Sequence, residues 1–554
     1  MSMVTGKEAL VRILKEEGVE YAFGIPGATE VQFVDALEDH PEIKYILTLN
    51  ESIAVGMAEG YARATGKVGF LNLHTGSGLG AGMGLLSNAS WGGVPLVVTV
   101  GQQDTRILAE EPAMSDNLVK IAAPFTKWAT EVRRPEDLPN AMRRAFKIAT
   151  HPPTGPVMVS LPLDVLADTF DFEYQPSCHS FTRLHPDDRS IAAAVALLAK
   201  AENPAIIVED GVTKCEALDE MVRFAEQIGA KVYQPWMADV NFPVHHPLYA
   251  GDMDPNSIAT RDILEKVDVL VVVGAMFFMQ AVPTPRPLCP SCTKVIQIDD
   301  NPWQIAKNFP IACGIEGDIK VALADLNAAL ELEMPGAARV AAAERTKVIA
   351  AERRKMVAVF EQKVVAEWDD SPISGTRFMA ELRDAIKPGT LIVDDCWSYS
   401  ALLRRMLPLK ELREYQRSRT GGAIGGGLPM ALGAKLGSPD RPVVCVSGDG
   451  SAMWSIQGLW NAAHYDLPVT FFVLSNRAYR QVRMMKTRII GPQAKGRNLG
   501  TELSPPEIDF CSIARGMGIA ARKVIEPREL KPVLAEALDS AVPYLVDVVV
   551  DASF

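Results

Sequence analysis

Short runs of β-branched and other apolar residues recur along the chain, and most of them end at a cluster of glycine and polar residues. The run at 443–446 ends at the sequence GDGS (448–451), and the run at 469–474 ends at Ser-Asn (475–476). Residues 455–465 between them have a helical pattern. The order strand, helix, strand predicts a βαβ unit of a parallel sheet, in which both polar clusters follow the carboxyl ends of their strands. Ligands bind at this edge of such sheets.

The same alternation extends over the whole chain and predicts three α/β units. The first covers residues 1–180, the second 189–335 and the third 371–554, with a polar linker at 174–188 and a charged, alanine-rich helical linker at 336–370. We therefore expect an α/β fold of three domains, each built on a doubly wound parallel sheet. Further strands are predicted near 21–23, 44–49, 68–73, 96–100, 205–208, 231–233, 267–273, 294–298, 390–393 and 544–550.

Composition and charge narrow the class of protein. With 554 residues, 48% hydrophobic and 22% charged, the chain has the composition of a globular protein of several domains. The net charge of −12 argues against a nucleic acid partner. The most apolar stretch, 267–282, is interrupted by Asp268, Gly274 and Gln280, so we expect a buried strand rather than a membrane span. Eight cysteines scattered along the chain favour a reducing, cytoplasmic location.

The GDGS segment carries candidate metal chemistry. Asn476 follows Asp449 by 27 residues, so a single crossover can bring the two side chains together. A carboxylate and an amide oxygen suit Mg²⁺, which also binds phosphate oxygens. Gly448 and Gly450 allow backbone N–H groups to approach a diphosphate. The alternative interpretation is that GDGS is only a tight turn and that Asn476 caps a loop.

Two further side chains follow strand ends in the first unit. Glu51 stands at a strand-to-helix junction, where a glutamate is ordinarily an N-terminal helix cap. His74 ends the strand at 68–73, and a histidine there is either a proton shuttle or a side chain satisfied by the backbone. The glycine-rich segment at 75–80 is superficially similar to a dinucleotide loop. No acidic residue follows at the end of the next strand, so we do not expect an NAD site.

Together, the two regions resemble thiamine diphosphate-dependent enzymes. The segment from GDG to Asn476 is similar to their metal–diphosphate motif, although the family usually has Asn-Asn where this chain has Ser475 and Asn476. Glu51, followed by small residues and then by GYAR (60–63), resembles the glutamate-bearing element of their pyrimidine-binding domain. The resemblance implies that the three units are a pyrimidine-binding, a central and a diphosphate-binding domain. Thiamine diphosphate and Mg²⁺ are the implied cofactors.

The same resemblance implies the roles of individual residues. Glu51 would activate the cofactor through its aminopyrimidine ring. Ile424, between glycines, would support the folded cofactor, although an ordinary buried isoleucine is the alternative. The metal would be held by Asp449, Asn476 and the carbonyl of Ala478. Further expected contacts of the cofactor come from Gly422, Ser398, Ser400, Gly448, Gly450, Ser451 and Tyr479.

One branch of this superfamily is more similar than the rest. The segments 70–78, 98–103 and 125–128 resemble benzoylformate decarboxylase-like enzymes, in which His74 corresponds to an active-site histidine. The chain departs from this branch at Ala28, where the branch has a pocket serine, and near Ala281, where a second histidine is missing. We expect an apolar substrate pocket, suited to an uncharged or aromatic side chain. Its expected lining is Ala28, Ala113, Phe278, Met279 and Tyr479.

The resulting hypothesis is a carbon–carbon lyase that decarboxylates a 2-oxo acid, with carboligation of an aldehyde as a second outcome. An acetolactate synthase-like carboligase and an aldehyde or 2-hydroxyacyl lyase are alternatives within the same enzyme class. A non-catalytic cofactor-binding subunit is the alternative outside it, and the presence of Glu51 disfavours it. Relatives of this kind imply a homodimer or homotetramer with the site between chains. Whether the central domain binds a flavin or a nucleotide is left open by the sequence.

Overall fold

Three six-stranded parallel sheets, each covered by helices, form the protein. The computed structural model describes residues 2–176, 183–276, 278–418 and 421–553. The expected α/β class and the doubly wound sheets are confirmed. The domain boundaries stay predictions, and residues 177–182 of the predicted polar linker lie outside the described residues. Within the described part of the chain, no helix is both long and apolar enough to cross a membrane.

The first sheet has the strand order β3-β2-β4-β5-β7-β6. A separate antiparallel pair of β1 and β8 joins the two ends of this unit. The strands are β1 Ser2–Thr5, β2 Tyr21–Gly24, β3 Lys44–Leu47, β4 Gly69–Leu73, β5 Leu96–Gln102, β6 Trp128–Glu131, β7 Val157–Pro162 and β8 Thr169–Phe172, and the helices are α1 Gly6–Glu16, α2 Val31–Glu38, α3 Glu51–Thr65, α4 Thr75–Gly92, α5 Leu118–Ala122, α6 Leu138–Thr150 and α7 Leu163–Ala167.

The central sheet has the order β11-β10-β9-β12-β13-β14. A continuous buried apolar run such as β12 is typical of a parallel strand covered on both faces. The strands are β9 Ala205–Val208, β10 Lys231–Pro235, β11 Tyr249–Met253, β12 Val269–Val273, β13 Lys294–Asp299 and β14 Cys313–Glu316, and the helices are α8 Asp188–Leu198, α9 Gly211–Lys214, α10 Leu218–Ile228, α11 Ile258–Leu264, α12 Ile319–Glu333 and the long α13 Gly336–Ala366.

The third sheet has the order β16-β15-β17-β18-β20-β19. The strands are β15 Leu391–Asp395, β16 Tyr415–Arg417, β17 Val443–Gly448, β18 Val469–Ser475, β19 Ala520–Val524 and β20 Tyr544–Val549, and the helices are α14 Gly375–Ala385, α15 Ser400–Met406, α16 Gly427–Gly437, α17 Asp449–Ala452, α18 Gly458–His464, α19 Arg480–Ile490, α20 Phe510–Gly516 and α21 Leu530–Leu538. Short 3₁₀ turns occupy Leu108–Glu110, Ala123–Phe125, Pro135–Asp137, Trp397–Tyr399, Pro492–Ala494 and Pro527–Glu529.

The GDGS segment differs from the expected turn. Strand β17 extends through Gly448, and Asp449–Ala452 then forms one turn of helix, so α18 begins at Gly458 rather than near residue 455. In the third sheet the order of the strands reverses between β15 and β17, and in the first sheet between β2 and β4. Such reversals open a crevice at the carboxyl edge of a sheet, where ligands bind.

A close crossing of α3 and α16 joins the first unit to the third. A Cβ added to Gly60 would lie 2.0 Å from the carbonyl oxygen of Met430, and one added to Gly433 would lie 1.8 Å from that of Met57. Only glycine permits such backbone proximity. The buried apolar side chains of both units form one continuous cluster around this crossing. The crossing therefore fixes the starts of both helices relative to each other.

We expect Gly433→Ala to destabilise the protein, because the new methyl group cannot fit against Met57. Overpacking of this kind costs about 1–3 kcal/mol. The measurement is the midpoint of thermal unfolding, with Gly516→Ala as the matched control. Gly516 is also helical, and a Cβ added there meets no atom within 4 Å. Equal midpoints for the two variants would contradict the proposed tight crossing.

Candidate functional site

Asp449 and Asn476 lie side by side at the carboxyl edge of the third sheet. The carboxylate of Asp449 accepts the N–H of Arg477 at 2.5 Å and that of Gly450 at 2.8 Å. Oδ1 of Asn476 accepts the N–H of Ala478 at 3.0 Å. These bonds curl the segment after β18 around the segment after β17. Their strands are paired in register, Gly448 opposite Leu474, so the predicted proximity is present.

The environment of Asp449 suits a divalent cation. The residue is 3% exposed, and burial raises the pKa of its carboxyl group to about 6. No described lysine or arginine forms an ion pair with it, so the charged carboxylate lacks a protein cation. One carboxylate, one amide oxygen and a main-chain carbonyl leave coordination positions of Mg²⁺ for phosphate oxygens and water. Among the described residues, no group of three or more His, Cys, Asp or Glu side chains is arranged to hold a metal ion.

The glycine-rich segment before α16 lies next to the GDGS segment, and we call it the glycine-rich wall. Gly422 and Gly425 have positive φ values of 89° and 86°, which favour glycine, and the half-buried Ile424 lies between them. The N–H of Gly425 donates to Oγ of Ser451 at 2.9 Å, which ties this wall to the GDGS segment. The ring of Tyr479 packs on Gly450, where an added Cβ would lie 2.5 Å from Cε1 of the ring. These contacts hold the glycine-rich wall, the GDGS segment and Tyr479 against one another.

Asp395, which the sequence reasoning missed, holds this wall in place. Its Oδ2 accepts the hydroxyl of Ser451 at 2.6 Å, the N–H of Gly427 at 3.1 Å and the hydroxyl of Ser447 at 3.3 Å. Its Oδ1 accepts the indole N–H of Trp397 at 3.1 Å. The residue is 2% exposed, and burial raises the pKa of its carboxyl group to about 6. Asp395 could have been found from the sequence, because it closely follows a predicted strand, as the other candidate residues do.

The two predicted serines lie in the segment after β15. The hydroxyl of Ser400 is buried and donates to Oδ1 of Asp394 at 2.9 Å. The carbonyl of Ser398 accepts from the guanidinium of Arg480 at 3.4 Å. The segment therefore contacts the first residue of α19, the helix that follows the loop after β18. The contact of both serines with a diphosphate stays a prediction.

Glu51 is the first residue of α3, but the helix is capped by another residue. Asn50 is the N-cap, and its side chain accepts the N–H of Ser52 at 2.8 Å. Among the described residues, no hydrogen bond or ion pair engages the half-buried carboxylate of Glu51. It lies against Gly78, where an added Cβ would be 3.0 Å from Oε1. The carboxylate is consequently available to a group outside the chain, as activation of a cofactor requires.

His74 is held by side chains, not by the backbone alone. Its Nδ1 lies 2.8 Å from Oε2 of Glu30 and 3.1 Å from Oγ1 of Thr29. Glu30 is 1% exposed and also accepts the N–H of Gly27 at 2.9 Å and the hydroxyl of Thr29 at 2.7 Å. A Cβ added to Gly27 would lie 2.2 Å from Nδ1 of His74. Glu30, the second residue missed from sequence, thereby fixes the imidazole at the β2–β4 crevice.

The residues expected in the substrate pocket do not all line one cavity within the chain, and Tyr479 lies on Gly450 instead. Phe278 and Met279 line a cavity of about 280 Å³ that Trp236 and Met253 also border. Ala28 and Ala113 do not line this cavity and are exposed on the first unit. The assignment of these residues to one pocket stays a prediction.

The two halves of the site are also not bonded to each other within one chain. The first and third units make other polar contacts there: Asn88 donates to the carbonyl of Ala423 at 2.8 Å, and Tyr465 accepts the N–H of Leu47 at 2.7 Å. Among the described residues, no hydrogen bond or ion pair links Glu51 or His74 to Asp449 or Asn476.

Comparison with family models places three thiamine diphosphate enzyme domains on the chain. Residues 4–121 match the N-terminal TPP binding domain of thiamine pyrophosphate enzymes, residues 191–326 their central domain and residues 398–548 their C-terminal TPP binding domain. Glu51 and His74 lie in the first matched segment, and the Asp449 site lies in the third.

Several relatives match over nearly the whole chain. Benzoylformate decarboxylase of Pseudomonas aeruginosa is 31% identical over 559 residues, which cover 99% of both chains. Acetolactate synthase large subunit of Haemophilus influenzae is 28% identical and covers 97% of this chain and 92% of its own. The crystal structure of benzoylformate decarboxylase from Polynucleobacter necessarius superposes with a TM-score of 0.87 at 26% identity, covering 99% of each chain. The protein therefore belongs to the thiamine diphosphate-dependent enzymes of the decarboxylase and acetolactate synthase family, which use thiamine diphosphate with a divalent metal ion, typically Mg²⁺.

Proposed function

We propose that the protein decarboxylates a 2-oxo acid with an uncharged or aromatic side chain and releases the aldehyde, with carboligation as a side reaction. The observation that carries this proposal is the Glu30–His74 pair. Release of an aldehyde after loss of carbon dioxide requires a proton at the reacting carbon, and a positioned histidine can deliver it. Bound thiamine diphosphate supplies the electron sink for the cleavage.

Glu51 is proposed to activate the cofactor. A carboxylate that hydrogen-bonds the aminopyrimidine ring controls its protonation, and the Glu51 carboxylate beside Gly78, which bonds none of the described residues, is available for this role. Asp449, Asn476 and the Ala478 carbonyl would hold the metal, because they supply the hard oxygen ligands that Mg²⁺ prefers. Further contacts with the cofactor are proposed for Gly448, Gly450, Ser451, Gly422, Ile424, Ser398, Ser400 and Tyr479.

His74 is proposed to move the proton. With Nδ1–H donated to the Glu30 carboxylate, Nε2 is left to exchange a proton with the substrate. Thr75, which follows His74, has a φ of 41°, a strained conformation for a β-branched residue. Strain of this kind is found at functional sites, where the surrounding structure holds it.

The substrate pocket is proposed to include Ala28, Ala113, Phe278 and Met279. These side chains are apolar, so they suit an uncharged or aromatic group. Because Ala28 has no hydroxyl group, it cannot hydrogen-bond the substrate carboxylate.

We also propose that the complete site lies between two chains of a homodimer or homotetramer. The absence of any described bond between Glu51 and Asp449 within one chain supports this arrangement. The free cysteines of the described residues agree with a cytoplasmic location. The net charge and the apolar pocket favour a small-molecule substrate over a nucleic acid.

The same residues are also compatible with two alternative reactions. An acetolactate synthase-like carboligase is supported by the relative from Haemophilus influenzae. An aldehyde or 2-hydroxyacyl lyase is supported by the alanine at position 28, which removes a polar contact to a carboxylate. A non-catalytic subunit is disfavoured, because Glu51 is present and its carboxylate forms no hydrogen bond or ion pair with the described residues.

A panel of 2-oxo acids tests the proposed reaction. The holoenzyme is incubated separately with pyruvate, 2-oxobutyrate, 2-oxoisovalerate and benzoylformate, and the products are identified by NMR. We expect an aldehyde as the main product from a branched or aromatic acid. Glu51→Gln is the matched control: it should reduce turnover about 100-fold or more while calorimetry still detects binding of the cofactor. A 2-hydroxy-2-methyl-3-oxo acid as the main product would favour the synthase, and near-normal turnover of Glu51→Gln would refute the role of Glu51.

A double-mutant cycle tests the Glu30–His74 pair. We expect Glu30→Gln to lower kcat about tenfold or more, because the imidazole loses the carboxylate that orients it. In a His74→Ala background the same change should have little further effect. KM should change less than kcat in the single variants. Equal losses in both backgrounds would show that Glu30 acts independently of His74, and thermal unfolding of each variant controls for misfolding.

A further inference from the structure

A second polar cleft lies where the central unit, helix α13 and the third unit meet. Its volume is about 410 Å³, within the usual range of small-molecule sites. One wall comes from β11 and the loop before it, one from α13 and one from α14 and α15. None of the residues assigned above to the cofactor or the substrate lines it.

Two arginines of this cleft are held in position without a carboxylate. Arg353 donates to the carbonyl oxygens of Tyr249, at 2.7 Å, and Val244, and its guanidinium lies 5.4 Å from the centre of the Tyr249 ring. Arg405 donates to the carbonyl of Met356 at 3.4 Å and lies 4.0 Å from the centre of the Phe360 ring. Within the described part of the chain, no aspartate or glutamate forms an ion pair with either guanidinium.

The acidic residues of the cleft are already paired with other cations. Glu361 accepts from Arg383 at 2.9 Å, and Asp252 accepts from the buried Arg404 at 2.7 Å. Glu361 and Asp252 are the only acidic residues among the described residues that line the cleft. After these pairs are formed, neither Arg353 nor Arg405 has a carboxylate within ion-pair distance among the described residues, although the more distant charge of Asp252 still favours the charged form of Arg405.

These positive charges also face one another. Burial lowers the pKa of Arg353, and the positive charge of Arg405 lowers it further. The pKa of His245, at the rim, is lowered by partial loss of solvent around the ring and by the positive charges of Arg353 and Arg383. Like charges held together in a partly buried space repel each other, and a bound anion would remove this repulsion.

The remaining lining of the cleft is apolar. Val357 is 43% exposed and Met356 45% exposed, although both are large hydrophobic side chains. Phe360, Leu402 and Met406 continue the same surface. A ligand that fills the cleft therefore needs an apolar body beside its charged group.

We propose that this cleft binds a small organic dianion, a phosphomonoester or a dicarboxylate, whose apolar body packs on α13 and α15. The two guanidinium groups would bind its oxygens, since arginine suits both phosphate and carboxylate. Binding would connect the central unit, α13 and the third unit. The site is separate from the proposed catalytic residues and does not depend on the proposed reaction.

Calorimetry on the holoenzyme, loaded with thiamine diphosphate and Mg²⁺, tests this site. The probes are phenyl phosphate and phenylsuccinate, and inorganic phosphate tests the need for an apolar body. We expect one of the two organic probes to bind and inorganic phosphate to bind more weakly. The tighter of the two probes identifies the charged group as phosphate or dicarboxylate.

Variants distinguish binding in this cleft from nonspecific electrostatic binding to the protein surface. Arg405→Gln, at the rim, and the double variant Arg353→Gln/Arg405→Gln should weaken binding of the probe about tenfold or more, while turnover is retained. The matched control is Arg354→Gln, because Arg354 is exposed on the same helix and does not line the cleft. The proposal is overturned if neither organic probe binds, if inorganic phosphate binds as tightly, or if the control weakens binding as much as the cleft variants do.

Discussion

The crossing of α3 and α16 is the contact on which the candidate site depends. Gly60 and Gly433 let the two helix backbones touch, and the buried apolar side chains around them join two units into one core. Glu51 begins one of these helices, and the glycine-rich wall with Ile424 leads into the other. A shift of this crossing would therefore move Glu51 and the glycine-rich wall of the same chain together, and with them the parts that this chain contributes to each site.

A second constraint acts within each unit. Parallel strands end at one edge of their sheet, and the reversal of strand order opens a crevice there. In the first unit this crevice contains the Glu30–His74 pair, and in the third it contains Asp449 and Asp395. Burial gives these groups few alternative partners, so their hydrogen bonds determine where each functional atom lies.

The sequence predicted what is encoded locally. Apolar runs ending in polar clusters indicated the strands, and Asp449, Asn476 and Glu51 each follow a strand end. Glu30 and Asp395 were missed because their partners are distant: His74 is 44 residues from Glu30, and Ser451 is 56 residues from Asp395. The cleft around Arg353 and Arg405 could not be predicted from the sequence either, because α13, α15 and β11 come together only in the folded chain.

The central claim is that Glu51 and Asp449 serve one site formed between chains. Mixed dimers test it most directly: chains carrying Glu51→Gln are combined with chains carrying Asp449→Ala, and the hybrid is isolated through different affinity tags. Each parent should be inactive. In the hybrid, one site receives Glu51 and Asp449 intact from different chains, so decarboxylase activity should return. A hybrid as inactive as both parents, with cofactor bound and the dimer intact, would contradict the account.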